Sequence, residues 1–340
     1  MLHSLNLGSG LAVYYLGYHP DRSKVSKPPT SSFTSEMEEL NSTASHSTRL
    51  PVELHRNIIQ FIPAGNDLTN LCKVSRLFKN EAQPILYGSS ELLHYDYDRI
   101  MAWSRTIDSH PHLAHMVHFL TIPYELPLSS GLWARGKFHT SLAGALKRTI
   151  NLKGIFIIES PETSVRTSGR MFTLLPKMLM GCGFRLRSFC GRLSSDAFLV
   201  DWWKFFREQK EIRYWEPVPR IPGHGMIIPR DIFPELAAIV LRQTESMSNT
   251  NLLLHLGPRP IHCLSLEWEM SMGNPLYIIK WFVDTITHFN WEAVGSTYRT
   301  PTALDIILAI IVQLPGLKFF RFASEQADSV CLNCLFNENR

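Results

Sequence analysis

The chain lacks the short motifs that usually mark an enzyme. Its 340 residues contain no Gly-x-Ser-x-Gly elbow, no His-Glu-x-x-His zinc helix and no phosphate loop ending in Gly-Lys-Ser/Thr. Its Asp and Glu residues are too scattered to pair for acid–base work. It has few charges, 19% Asp, Glu, Lys and Arg, with a net charge of only +4. No basic run of five occurs, so nucleic acid is not an expected partner. No run of about 18 apolar residues occurs, so no membrane partner is expected either. The apolar stretch Gly10–Leu16 is too short for a span and has no basic segment before it, which argues against a signal peptide. The six cysteines, at 72, 182, 190, 263, 331 and 334, form no framework at short spacing. That usage fits a reducing intracellular compartment, cytoplasmic or nuclear.

What the chain does have is core. Hydrophobic residues make up 45% and aromatics 11%, with eight Trp, enough for one large or two smaller packed domains. The composition breaks near residue 48. From His19 to Thr48 the chain is rich in Ser, Thr and Pro and poor in large apolar residues. Such a segment buries too little to offset its ordering entropy, and residues 1–48 are expected to be a disordered tail.

From Leu50 a helical pattern begins. Pro51 suits the first helical position and Glu53 the positive end of the dipole. Leu54, Ile58, Phe61 and Ile62 then share one face. Pro63-Ala64-Gly65 stops that helix, and Asn66 or Asp67 caps a second one carrying Leu68, Leu71 and Cys72. A third carries Leu77, Phe78, Ala82 and Ile85, with Pro84 near its end. Three short helices bury little among themselves and present apolar residues to a partner.

The residues Leu50-Pro51-x-Glu53-Leu54-x-x-x-Ile58-Ile59-x-Phe61-Ile62-Pro63, Asp67-Leu68-x-x-Leu71-Cys72-x-Val74-Ser75-x-x-Phe78 and Pro84-x-Leu86-Tyr87 resemble an F-box. The resemblance spans Leu50–Tyr87 and implies docking onto a Skp-type linker protein, and through it onto a cullin–RING core. Carried over position by position, it assigns linker binding to Leu50, Pro51, Leu54, Ile58, Leu68, Leu71, Val74 and Phe78. It implies a non-catalytic substrate-receptor subunit of a ubiquitin ligase, with no cofactor and an unknown protein substrate. The alternative is a scaffold that binds the linker without directing ubiquitination.

Beyond residue 90 an apolar-x-x-apolar-x-apolar pattern recurs, each copy ending in a short strand. Copies begin at Val117, Leu152, Leu186, Leu236, Ile261 and Leu317, with a poorer one at Ile212 and room for another near Phe289–Val294. Helical stretches are expected at Phe138–Thr149, Arg170–Met180, Ala197–Gln209, Leu276–Phe289 and Thr302–Leu314. One strand and one helix per unit of irregular length is similar to leucine-rich repeats. The Asn or Cys expected after each strand is replaced by Ser160, Ser194, Thr244, Glu269 and Glu325. The fold expected is therefore α/β: a small three-helix F-box at 49–90, then an irregular leucine-rich-repeat-like α/β solenoid at 91–330 and a tail at 331–340.

The remaining clusters read as structural. His110, His112, His115 and His118 belong to a helix leading into a strand. Cys331-x-x-Cys334 lacks the second pair that zinc needs. Gly181-Cys182-Gly183 and Gly223-His224-Gly225 read as turns. Trp202-Trp203-Lys204-Phe205-Phe206 reads as a buried helix, and Arg220–Met226 as a long loop of the kind that carries binding.

Overall fold

The computed structural model describes residues 3–7, 11–15, 51–62, 66–92, 97–123, 132–158, 171–191, 196–217, 228–242, 256, 259–269, 279–294, 301–324 and 327–333. It divides into two units, Met1–Leu50 and Pro51–Arg340.

In the first unit β1 (His3–Leu7) pairs antiparallel with β2 (Leu11–Tyr15), from His3 opposite Tyr15 to Leu7 opposite Leu11. Strands therefore stand where an unstructured tail was expected. Val13, Tyr14 and Tyr15 favour extended chain. The Ser/Thr/Pro-rich stretch 19–48, on which that expectation rested, lies outside the described residues.

The second unit opens with α1 (Val52–Gln60), α2 (Asn66–Val74) and α3 (Arg76–Gly88). Pro51 sits one position earlier than expected, at the N-cap rather than the first helical residue. Asn66 is helical, not the cap. Ser75 caps α3, its side chain accepting from the Phe78 N–H at 3.2 Å. Ile59, Leu68 and Ala82 are the buried centre of a small apolar cluster that also takes in Ile62, Leu71, Cys72, Phe78, Ile85 and Leu86.

α3 runs straight into β3 (Ser89–Glu91), the edge of a ten-stranded sheet. Then follow α4 (Tyr97–Ser109), α5 (Pro111–Ala114), β4 (Phe119–Pro123), α6 (Leu132–Arg148), β5 (Gly154–Ile158), α7 (Met171–Leu179), β6 (Ser188–Gly191), α8 (Asp196–Glu208) and β7 (Tyr214–Pro217). β8 (Ala238–Leu241), β9 (Cys263–Glu269), a 3-10 turn (Lys280–Phe282), β10 (His288–Val294), α9 (Pro301–Gln313), β11 (Phe319–Ser324) and β12 (Ala327–Asn333) complete it. The fold class is α/β. Strands β3 to β11 are parallel and lie in the order of the chain, and β12 closes the row antiparallel to β11. α4 packs on α6, α6 on α7 and α7 on α8, so these helices form a row beside the sheet. Connections of one hand between neighbouring parallel strands give that arrangement.

The strands fall where the repeated pattern sets them, including the weak copy at Ile212 and the gap filled by β10. Leu276–Phe289 is the exception. Among its described residues 279–282 are helical, Lys280–Phe282 as a 3-10 turn, and His288 already belongs to β10. Phe289 and Trp291 are strand-core residues, and their alternation outweighs the local helical spacing. β3 and β12 have no copy of the pattern.

The register explains the pattern. Leu120, Ile155, Phe189, Trp215, Ile239, Leu264, Phe289 and Phe320 align across the sheet and are all fully buried. Three residues earlier, Val117, Leu152, Leu186, Ile212, Leu236, Ile261, Ile286 and Leu317 are buried too. An odd spacing breaks strict alternation, and the backbone shows how. At each entry from β5 to β11 two successive N–H groups share one carbonyl at the entry to the preceding strand. Lys153 and Gly154 both donate to His118 O, at 2.7 and 3.1 Å, and Arg187 and Ser188 to Lys153 O, at 2.7 and 3.0 Å. Two residues set against one is the arrangement of a bulge, which turns the chain by one position. The residue between the two buried rows is thereby thrown outward.

The aromatic helix α8 is buried as expected. Phe206 lies 4.9 Å from Phe189, 5.5 Å from Trp202 and 4.8 Å from Phe233, whose ring is 4.9 Å from Trp215. Gln209 seals the exit of α8, accepting from the Leu186 N–H at 2.8 Å.

On the opposite face of the sheet, Gly154 makes room for aromatic rings. A Cβ there would stand 2.7 Å from Phe119 Cδ1 and 3.2 Å from Phe156 Cε2. Gly154→Ala is expected to cost about 1–3 kcal/mol, the usual range for overpacking, as a lowered midpoint in denaturant unfolding. Two thiols predict the alkaline limit. Burial pushes Cys182 and Cys263 up to about 11 from an ordinary 9.0. The unfolded chain ionises first, so folding stability is unaffected below pH 9.0 and falls as pH rises towards 11. Cys182→Ala with Cys263→Ala should flatten that fall in a Tm-against-pH series.

Candidate interaction surface

The three helices bury one face and expose another. Leu54 and Ile58 on α1 and Phe61 at its C-cap follow at i, i+4 and i+7, and are 45%, 54% and 88% exposed. The α2–α3 junction adds Val74 and Leu77, both exposed. These five are half of the exposed large hydrophobic side chains among the described residues, drawn from one short segment. Single exposed apolar residues need no explanation, but a concentration of this kind marks a binding surface.

The frame beneath is fixed by polar and ring contacts. Arg56 on α1 donates to both carboxylate oxygens of Glu81 on α3, at 2.7 and 3.1 Å. Those hydrogen bonds hold the Glu81 carboxyl below its ordinary range and the Arg56 guanidinium above its own. His55 rests on Phe78, ring centroids 5.4 Å apart.

The structure sorts the residues assigned to linker binding. Pro51, Leu54, Ile58 and Val74 are exposed and available. Leu71 and Phe78 are half-buried in the cluster between the helices. Leu68 is fully buried and holds the helices together rather than meeting a partner. Leu50 lies outside the described residues. Phe61 and Leu77 were not assigned and are exposed. The signal for Phe61 was present, since it stands on the same stripe as Leu54 and Ile58.

No group of three His, Cys, Asp or Glu could hold a metal among the described residues. α5 is one short turn with His110 and His112 exposed, and His118 Nδ1 lies 2.7 Å from the Met116 carbonyl. Gly181 takes a left-handed turn at φ 74, which its lack of a side chain permits. Cys334, Arg220–Met226, Ser160, Ser194, Thr244 and Glu325 lie outside the described residues. On the open face of the sheet Glu216 is nearly buried, accepting from Tyr214 Oη at 2.6 Å and from Arg242 Nε. Its carboxylate is fully engaged. Burial raises the neighbouring Cys190 thiol well above its ordinary value, which keeps it a neutral, weak nucleophile.

The chain matches no known family model and no curated protein sequence. Among the described residues no helix is long and apolar enough to cross a membrane.

Proposed function

We propose that the chain is a substrate-receptor subunit of a cullin–RING ubiquitin ligase, with α1–α3 acting as an F-box. The observation that carries the reading is the exposed apolar stripe Leu54, Ile58 and Phe61, joined by Val74 and Leu77, on helices whose sequence resembles that motif. A folded helical unit that leaves these side chains in water gains by covering them. On this reading the Skp-type linker covers them, and the sheet is an open leucine-rich-repeat-like stack that carries a protein target. In favour of the stack are the parallel strands in chain order and the buried rows repeated strand after strand. The protein makes and breaks no bonds itself. It raises the effective concentration of its target near the ubiquitin-loaded enzyme.

The test is binding of the full chain to a purified Skp-type linker protein by calorimetry. Wild type should bind and Ile58→Asp with Phe61→Asp should not. A wild-type chain that ignores the linker overturns the proposal, as does a double variant that binds equally well. Ubiquitination of a bound target in the reconstituted ligase separates a receptor from a scaffold.

A further inference from the structure

A second surface follows from the shared-carbonyl entry to each strand. The residues it throws outward align in one row: His118, Lys153, Arg187, Arg213, Ala237, His262 and onward to Lys318. Their main chains are tied to one another, Arg187 N to Lys153 O at 2.7 Å, Arg213 N to Arg187 O at 2.9 Å and Ala237 N to Arg213 O at 2.9 Å. Lys153, Arg187 and Arg213 therefore stand at the entries to adjacent strands, about 4.8 Å apart from one to the next. All three are exposed. None of them takes part in an ion pair or side-chain hydrogen bond among the described residues. Arg185, two residues ahead of Arg187, is exposed and adds a positive charge, and Glu211, two residues ahead of Arg213, is exposed and adds a negative one. Like charges held this close repel unless something anionic meets them.

We propose that Lys153, Arg187 and Arg213 form a docking ladder for an acidic, Asp/Glu-rich segment of a protein partner. Charge complementarity names the sign, and the dimensions name the class. Three cations spaced by strand pairing cover roughly 10 Å, the reach of about three residues of extended peptide. A single-stranded nucleic acid would want aromatic faces beside the cations for stacking. Beside Arg187 and Arg213 no ring is free, since Ser188 has none and Tyr214 is buried with its hydroxyl bonded to Glu216; beside Lys153 the Phe119 and Phe156 rings are half-buried and packed together over Gly154. The ladder lies on the sheet and needs neither the linker nor the three helices, so its failure would leave the docking reading untouched.

The test measures binding of a labelled oligo-glutamate peptide to the full chain by fluorescence anisotropy. An oligo-uridine of equal charge and phosphatidylserine vesicles serve as rival probes. Wild type should bind the peptide more tightly than either rival, and added salt should weaken the complex. Lys153→Glu, Arg187→Glu and Arg213→Glu together should weaken binding by roughly tenfold or more, since attraction becomes repulsion at each position. The corresponding triple glutamine variant should fall between. Lys73→Glu with Lys79→Glu, on the three helices, should change nothing. Because the ladder side chains are exposed, melting curves of these variants should overlay wild type. No binding of the peptide overturns the inference, as does equal binding by the charge-reversed chain. Tighter binding of oligo-uridine or vesicles overturns it in favour of those partners.

Discussion

Replacing Phe206 by alanine is expected to destabilise the fold by about 3–5 kcal/mol, the usual cost of deleting a buried aromatic ring. Among the described residues no other ring touches as many neighbouring rings. It stacks on Trp202, meets Phe189 of β6 edge-on and touches Phe205, Trp203 and Phe233. Through Phe233 it reaches Trp215 of β7. The site collapses poorly because its walls are rings on a helix and two strands that cannot close together without breaking register. Urea unfolding followed by tryptophan fluorescence measures the loss. A change under about 1 kcal/mol would mean that α8 is loosely seated. Phe206→Leu keeps most of the volume and should cost much less.

Ile58→Asp with Phe61→Asp is expected to have the opposite profile, a large effect on binding and almost none on folding. Both side chains are more than half exposed, so a carboxylate at either position stays in water in the free protein. In a dry interface each would be an unpaired buried charge, which costs several kcal/mol and lowers affinity by orders of magnitude. Leu68→Asp is the contrasting variant. Leu68 is completely buried among the helices, so its replacement should unfold the cluster and abolish binding indirectly. Circular dichroism beside calorimetry separates the two, since only Leu68→Asp should lose helical signal.

Much of the strand content was legible because its signal is local. Leu152-x-x-Ile155-x-Ile157 places three apolar side chains, the first two three apart and the last two two apart, and the shared-carbonyl entry makes that spacing one-sided. Ile212, a weak copy, still marks β7, since Ile212 and Trp215 fill the two positions that bury deepest. β3 was missed because Ser89-Ser90-Glu91 carries no apolar pattern and is paired only from one side. β12 was missed because an edge strand is held chiefly by its neighbour's backbone. The helix expected before β10 runs too far, into a strand that begins at His288, because Phe282, Ile286 and Phe289 also satisfy helical spacing. Only pairing with β9 and β11 decides between the two.

For the candidate surface the helices and their apolar stripe were readable, but the sorting within it was not. Leu54 and Leu68 are both leucines on an amphipathic helix. Leu54 on α1 is exposed and Leu68 on α2 is buried, and α3 packs more extensively on α2 than on α1. Periodicity states that a helix has an apolar face, and it is silent on whether that face is covered.

By itself the sequence determined the α/β class, most strand positions and the aromatic helix, because each follows from contacts between residues close in the chain. Only the tertiary structure decided which apolar residues stay in water and which charges meet. Lys153, Arg187 and Arg213 are scattered singly along the chain, so no basic run was visible. Parallel register, enforced by burying Ile155, Phe189 and Trp215 in one row, brings them to adjacent strands.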